Sequence, residues 1–307
     1  MSVLFYSMVT ISTNFAPEQL KELKMNKQIT PCLWFNNQAK EAAKLYCSVF
    51  EKSKITAQSP IVTEIEVSGQ RFILLDGGPM YQPNPSISFY YICENEKELD
   101  NIWNAFKKEG NVMMPLDKYP WSVKYGWITD KYGISWQLAL GKISEVGQKI
   151  TPCLMFTGKQ YGRVDDAIEH YTSIFKDVSV DGILRYGTND LPDKEGKVKH
   201  AQIAIDGQKF MLMESAAEHK FTFTEGVSLT VYCETQEEID YYWEKFTESG
   251  EESMCGWLKD KFGVSWQIMP TILGKIMGDP AKAGKAAQAF MSMRKLNIEQ
   301  IVQASIS

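Results

Sequence analysis

The sequence predicts an α+β protein made of two tandem copies of one domain, each copy holding two βαβββ modules in an open curved sheet with helices outside. Three observations carry this. The stretch Tyr125-Gly126-Trp127-Ile128-Thr129-Asp130-Lys131-Tyr132-Gly133-Ile134-Ser135-Trp136-Gln137 returns as Cys255 to Gln267, with eight of thirteen positions identical. Ile29-Thr30-Pro31-Cys32-Leu33-Trp34-Phe35 returns as Ile150-Thr151-Pro152-Cys153-Leu154-Met155-Phe156. Strand patterns of period two alternate with helical ones twice in each copy.

In the first copy, strands are expected near 29–35, 54–58, 61–67, 71–76, 86–93, 111–115, 123–128 and 134–140, and helices near 37–50 and 96–109. Val67-Ser68-Gly69-Gln70-Arg71-Phe72 and Ile205-Asp206-Gly207-Gln208-Lys209-Phe210 read as glycine-centred turns between short strands. The Asp-Lys-aromatic-Gly segments read as the turns of hairpins whose second strands close each copy. The expected boundaries are an N-terminal extension over 1–26, a first domain over 27–143 and a second over 148–307, the last including C-terminal helices. Met25-Asn26-Lys27 directly precedes the first strand and could be the true start. Gly141 to Lys149 is the linker. Asp279-Pro280 announces a helix, aspartate as cap and proline in the first turn. Its alanine-rich stripe suits closure of its own domain or a dimer contact.

Composition narrows the function. The chain has 307 residues, 44% hydrophobic, with a net charge of -5. That balance, without a basic block, speaks against nucleic acid as a partner. No apolar run is long enough to span a membrane. The first positive residue is Lys21, which argues against a secretory signal. Of the six cysteines, Cys32 and Cys153 occupy matching positions, as do Cys93 and Cys233, and no Cys-x-x-Cys occurs. Reduced, mostly buried thiols in a cytoplasm are the expectation.

These motifs resemble the PhnB-like family of the vicinal oxygen chelate superfamily, which includes glyoxalase I, bleomycin-resistance proteins and extradiol dioxygenases. Thr151-Pro152-Cys153-Leu154, Ile205-Asp206-Gly207-Gln208 and the block from Cys255 to Gln267 look like the subgroup labelled 3-demethylubiquinone-9 3-methyltransferase. The resemblance covers about residues 27–140 and 149–304. It implies paired βαβββ modules forming an open barrel around a small-molecule cavity. It also implies that metal-dependent relatives draw ligands from first and last strands, the last-strand ligand usually a glutamate four residues after the hairpin glycine.

Here that position holds Gln137 after Gly133, and Gln267 after Gly263. A neutral amide is a poorer divalent-metal ligand than a carboxylate and cannot act as a general base. Strand alternation puts Ser135 and Gln137 on one face and Trp136 on the other, with glutamine expected inward and Trp136 and Trp266 against the helices. The cavity candidates are Cys32, Trp34, Ser88, Tyr90 and Gln137, and in the second copy Cys153, Met155, Ser228, Thr230 and Gln267. Trp127 and Trp257 are further aromatic candidates. No metal or other cofactor is favoured. A divalent metal held by His200, Glu214 and Gln267 is the alternative; Glu214 and Asp76 end equivalent strands, where a solvated strand end is the first expectation and the cavity the second. Cys32 and Cys153 have no histidine near in sequence to activate them as nucleophiles. No glycine-rich strand-to-helix turn of the dinucleotide or S-adenosylmethionine type occurs; Gly77-Gly78-Pro79 opens a proline-rich loop. The leading expectation is a small-molecule-binding protein without a complete metal site. The alternatives are a metal-dependent lyase, isomerase or transferase, and a drug-sequestering resistance protein. Duplication lets the two copies make within one chain the contact that single-domain relatives make by dimerising; further homodimerisation stays open.

Overall fold

A computed structural model describes residues 28–307. The expected N-terminal extension lies outside the described residues. The first copy runs β1 (Thr30–Phe35), α1 (Ala39–Val49), β2 (Ser53–Gln58), β3 (Val62–Val67), β4 (Gln70–Asp76), β5 (Ile87–Cys93), α2 (Glu96–Lys107), β6 (Asn111–Tyr119), β7 (Ser122–Thr129) and β8 (Ser135–Leu140). A short helix, α3 (Ile143–Val146), sits in the linker. The second copy runs β9 (Ile150–Phe156), α4 (Val164–Ile174), β10 (Val178–Arg185), β11 (Val198–Ile205), β12 (Gln208–Glu214), β13 (Val227–Cys233), α5 (Gln236–Thr247), β14 (Glu251–Glu252), β15 (Trp257–Lys259) and β16 (Ser265–Pro270). The tail forms α6 (Ile272–Met277), α7 (Pro280–Met291) and α8 (Ile298–Ile306). The stretch before the first hairpin motif, read as loop beyond 115, instead extends β6 to Tyr119.

The strands form two eight-stranded sheets among the described residues, and each sheet is shared between the copies. The first sheet has the order β14-β15-β16-β13-β1-β4-β3-β2, and the second β10-β11-β12-β9-β5-β8-β7-β6. Each therefore joins one module of the first copy to one of the second. The seams are antiparallel: Thr30 pairs with Thr230 and Cys32 with Ser228, while Ser88 pairs with Cys153 and Tyr90 with Thr151. The two modules of one copy meet instead through their helix-covered outer faces. Phe72 on β4 lies 5.1 Å from Phe89 on β5, ring centre to ring centre, and Phe50 lies 4.7 Å from Trp136. Leu33, Phe35, Leu74, Phe89 and Trp136 belong to one buried apolar core that continues into the second copy.

The Gly-Gln turns bring the copies together. Ser68 and Gly69 have φ of 49° and 90°, and Asp206 and Gly207 have 49° and 80°, the left-handed pair a two-residue hairpin demands. Gln208, just after its turn, donates to Ile29 O and accepts from Ile29 N–H, both at 2.9 Å, and its amide also donates to Gln70. The tail closes its own copy: Leu273, Ile276, Ala286, Leu296 and Ile301 form a small cluster, and Cys255 and Gly256 donate backbone N–H bonds to Met293 O and Arg294 O. Asp279 caps α7 by accepting from Ala281 N–H.

One buried carboxylate explains most of the repeated hairpin motif. Asp130 Oδ1 accepts from the Tyr132 and Ile134 N–H groups at 2.9 and 3.1 Å, closing the turn. Its Oδ2 accepts from Tyr46 Oη–H at 2.7 Å and Trp136 Nε1–H at 3.0 Å. Asp260 repeats the set with Phe262, Val264, Tyr171 and Trp266. Burial raises the Asp130 carboxyl to about 6, and its hydrogen-bond donors oppose the rise. Asp260→Asn leaves the Trp266 indole facing an NH2 group, so we expect a loss of about 2–4 kcal/mol in urea unfolding. A loss under about 0.5 kcal/mol would show that the cluster is not stabilising.

His170 on α4 packs its ring against Tyr171, Phe246 and Phe262, and its Nε2 is buried without a partner. Burial, with the nearby Lys261 charge, lowers it to about 4 from the ordinary 6.5, against a small opposing pull from Glu248. A histidine kept neutral by folding contributes stability in full above about 6.5 that is lost as pH falls toward 4. The residue is only half-buried, so the size is modest, about 1 kcal/mol. His170→Leu installs the residue of the equivalent position, Leu45, and should lose less stability than the parent between pH 7.5 and 5. Parallel pH profiles for the two would refute the assignment.

Candidate functional site

Strand alternation exposes one face of each sheet to the side away from the helices. In the first sheet, Thr30, Cys32 and Trp34 of β1 share that inner face with Ser228 and Thr230 of β13 and Ser265 and Gln267 of β16. In the second, Thr151, Cys153 and Met155 of β9 share it with Ser88 and Tyr90 of β5 and Ser135 and Gln137 of β8. The register builds two rows on each. Cys32–Ser228–Ser265 and Thr30–Thr230–Gln267–Trp257 cross the first sheet. Cys153–Ser88–Ser135 and Thr151–Tyr90–Gln137–Trp127 cross the second. Trp136 and Trp266 lie under the helices, 1% exposed, so alternation turns both glutamines inward.

The structure thus gathers the ten cavity candidates into two groups of five, each spanning both copies. Gln267 Nε2 donates to Ser228 Oγ at 2.9 Å, with Cys32 beside them. Gln137 Nε2 donates to Ser88 Oγ at 2.8 Å, and its Oε1 accepts from Tyr125 Oη–H at 2.7 Å. Burial pushes the Cys32 thiol up to about 11 and the Cys153 thiol up to about 12, against the opposing pull of these glutamine and serine partners. Neither thiol is a thiolate nucleophile at neutral pH.

The surroundings differ. Around the first face, Trp34 donates Nε1–H to Gly78 O at 2.8 Å and meets Tyr81 and Trp257 edge-on at 5.0 and 5.9 Å. A Cβ at Gly77 would fall 2.2 Å from the Trp34 ring, so only glycine lets the loop pass there. Arg71 lies over Tyr232 and pairs with Glu64 at 3.2 Å. Around the second face, Tyr125, Trp127, Met155 and Ile92 are buried with Tyr90, Met113, Tyr119 and Phe221 packed against them. Trp127 donates Nε1–H to Ser135 Oγ at 2.7 Å. Tyr125, Tyr232, Ser135 and Ser265 were absent from the sequence-based candidates. All four were within reach of alternation: Ser135 and Ser265 share a strand face with the glutamines, Tyr125 with Trp127, and Tyr232 with Ser228 and Thr230.

The alternative metal set does not assemble. Gln267 belongs to the first sheet, whereas His200 on β11 and Glu214 on β12 belong to the second. Glu214 is fully buried on the helix side of β12, where its Oε1 accepts from Val198 N–H. Asp76 accepts from Ala39 N–H at 2.9 Å at the start of α1. Both carboxylates, expected at a solvated or cavity-facing strand end, instead serve backbone groups on the helix side. Among the described residues no group of three His, Cys, Asp or Glu side chains is placed to hold a metal ion. The central rows of the inner faces offer amide, hydroxyl and high-pKa thiol, a donor set that does not fit a divalent ion; His200 and Glu64 also face inward, but on different sheets, and Glu64 is paired with Arg71.

A family model described as 3-demethylubiquinone-9 3-methyltransferase matches residues 27–139 and again 148–269. The chain belongs to that family. Among solved structures, a putative 3-demethylubiquinone-9 3-methyltransferase, PhnB protein, from Bacillus cereus is 35% identical over 37% of this chain and 99% of its own, with a TM-score of 0.36. A protein from Staphylococcus aureus is 34% identical over 37% of this chain and 96% of its own, with a TM-score of 0.18. A point mutant of glyoxalase I from Zea mays, 11% identical, covers 83% of this chain and 97% of its own with a TM-score of 0.53. That likeness extends to both copies and establishes tandem glyoxalase-fold domains. A search of curated proteins finds no match. Among the described residues no helix is long and apolar enough to cross a membrane.

All six thiols are free. Cys32, Cys93, Cys153 and Cys233 are buried, while Cys47 and Cys255 are partly exposed. A thiol reagent at pH 7.5 should label Cys47 and Cys255 first and reach the other four only on unfolding, as read by peptide mass spectrometry. Rapid labelling of Cys32 or Cys153 in the folded protein would contradict the burial described.

Proposed function

We propose that the chain is a small-molecule-binding protein whose ligand lies against an inner sheet face where the two copies meet, and that it works without a divalent metal. The observation that carries the reading is the pair Gln137–Ser88 and Gln267–Ser228 at the centre of the two inner faces. The family resemblance puts a metal-binding carboxylate at the glutamine position; an amide already donating to a serine has neither the charge nor the basicity for that role. Uncharged polar groups between aromatic walls are the usual means of orienting a small ligand. The family's methyltransferase label gains no support from the chain itself, which lacks a glycine-rich turn for S-adenosylmethionine. Free, mostly buried thiols suit a reducing cytoplasm. Apolar and aromatic groups around the second face, including the exposed Trp121 stacked on Tyr119 at 5.1 Å, favour drug sequestration as the second reading.

Metal addition tests the proposal. After treatment with a chelator, zinc, nickel or manganese should leave the melting temperature unchanged within about 1 °C, since binding at a hundredfold excess over Kd contributes about 2.7 kcal/mol and would be plain. Stoichiometric retention of one of these metals through desalting, lost in Gln267→Ala, would overturn the metal-free part. Equilibrium binding of a bleomycin-type compound would move the assignment to the second reading.

A further inference from the structure

The two inner faces are pseudo-equivalent, yet their hydrogen bonding is not. On the second face Gln137 bonds with both Tyr125 and Ser88, and Ser135 accepts from Trp127. The one hydroxyl there that is buried without a partner is Thr151, among the described residues. On the first face Trp34 stands for Met155 and Thr230 for Tyr90, and nothing there replaces Tyr125: Cys255, its match in sequence, lies in a turn before β15 with its thiol toward Met291 O. Trp257 meets the bulky Trp34 edge-on, and the bond equivalent to Trp127–Ser135 is missing. Thr230 Oγ1 and Ser265 Oγ are left without partners on residues that are fully buried. Both belong to the rows that hold Gln267, Ser228 and Cys32.

We infer that, of the two inner faces, only that of the first sheet is a ligand site, and that its ligand is an uncharged, planar hydroxyaromatic molecule. The inference rests on the reading above that an inner face holds a small molecule. Buried hydroxyls without partners are rare and expensive, so two in adjacent rows mark a place where another molecule's polar groups belong. Thr230 and Ser265 can each donate and accept, which matches a hydroxyl on the ligand. Trp34, Tyr81, Trp257 and Tyr232 supply aromatic edges and faces for a flat ring. The charges nearby are already matched, Arg71 with Glu64 at 3.2 Å and Lys259 with Glu225 at 2.9 Å, so a charged ligand would find no counter-ion. The second face fills its own space with methionine and aromatic side chains and satisfies its glutamine and serines internally.

The probe is 2-naphthol, with naphthalene as the control that lacks the hydroxyl, titrated into the full chain by fluorescence and calorimetry. One equivalent of 2-naphthol should bind, about tenfold tighter than naphthalene, the worth of one well-made hydrogen bond in a dry site. Thr230→Val and Ser265→Ala should each weaken 2-naphthol about five- to tenfold, leave naphthalene unchanged, and melt at or above the parent temperature, because each removes an unmatched buried group. Ser135→Ala on the second face should lower the melting temperature by freeing the Trp127 N–H and leave 2-naphthol affinity unchanged. Two equivalents, equal affinity for the two probes, or sensitivity to Ser135→Ala instead of Thr230→Val would overturn the inference while sparing the binding function. Failure of 2-naphthol alone to bind would overturn it too; failure of both probes would also remove the broader reading.

Discussion

The position of every inner-face residue on the closing strands depends on one buried carboxylate per copy. Asp130 and Asp260 each accept four hydrogen bonds, two from the backbone of the turn, one from a helix tyrosine and one from a closing-strand tryptophan. A carboxylate away from water is costly unless donors surround it, so the four partners form as a set. The tryptophan is thereby held on the helix side, and a strand with its tryptophan fixed outward has no choice about the next residue. Gln137 and Gln267 turn inward for that reason. The same bond to Tyr46 or Tyr171 anchors the first helix of the copy to its last hairpin, linking elements 84 and 89 residues apart.

This is why so much of the fold was legible. The recurring spacing within the repeat from Asp to Trp to Gln is the footprint of a single hydrogen-bonded cluster, and period two then assigns the faces of β8 and β16. The first-strand assignment of Cys32 and Cys153 to the inner face follows from the same alternation. The sharing of sheets between copies was not legible, for a physical reason. Ser88 and Ser228 are equivalent, and so are Cys32 and Cys153, so pairing within a copy and pairing between copies satisfy the same local pattern. Only the geometry of the linker and the outer-face packing of Phe72 on Phe89 decides between them. The carboxylates Asp76 and Glu214 were misplaced for a different reason: strand ends lose alternation, and a side chain there is recruited by whichever backbone N–H lacks a partner.

Sharing also places the candidate site on a seam. The rows Cys32–Ser228–Ser265 and Cys153–Ser88–Ser135 each cross a β1/β13 or β9/β5 boundary between copies. Neither copy alone carries a complete row. Integrity of the faces therefore depends on contacts such as Gln208 with Ile29, and on Lys149 of the linker, whose ammonium pairs with the buried Glu98 at 2.8 Å over the Tyr91 ring. With Lys149 and Glu98 both largely out of water, removing either would strand the other's charge, so the linker is held as part of the core and does not act as a free tether.

Covalent fusion changes what such a seam can become. In a two-fold dimer of a single-copy chain the two inner faces are identical by symmetry, and any substitution alters both. In this chain the equivalent positions are separate residues and have drifted apart: Thr230 against Tyr90, Trp34 against Met155, Cys255 against Tyr125. On the second face Tyr90 and Tyr125 add bulk, and Tyr125 adds a hydrogen bond to Gln137; on the first, Thr230 is left unmatched and Trp34 stands edge-on to Trp257. Because Asp130 and Asp260 keep both closing strands in the same register, divergence of the faces cost the scaffold little. One face was free to supply stability while the other kept unmet hydrogen-bonding capacity, a division that an exact two-fold would forbid.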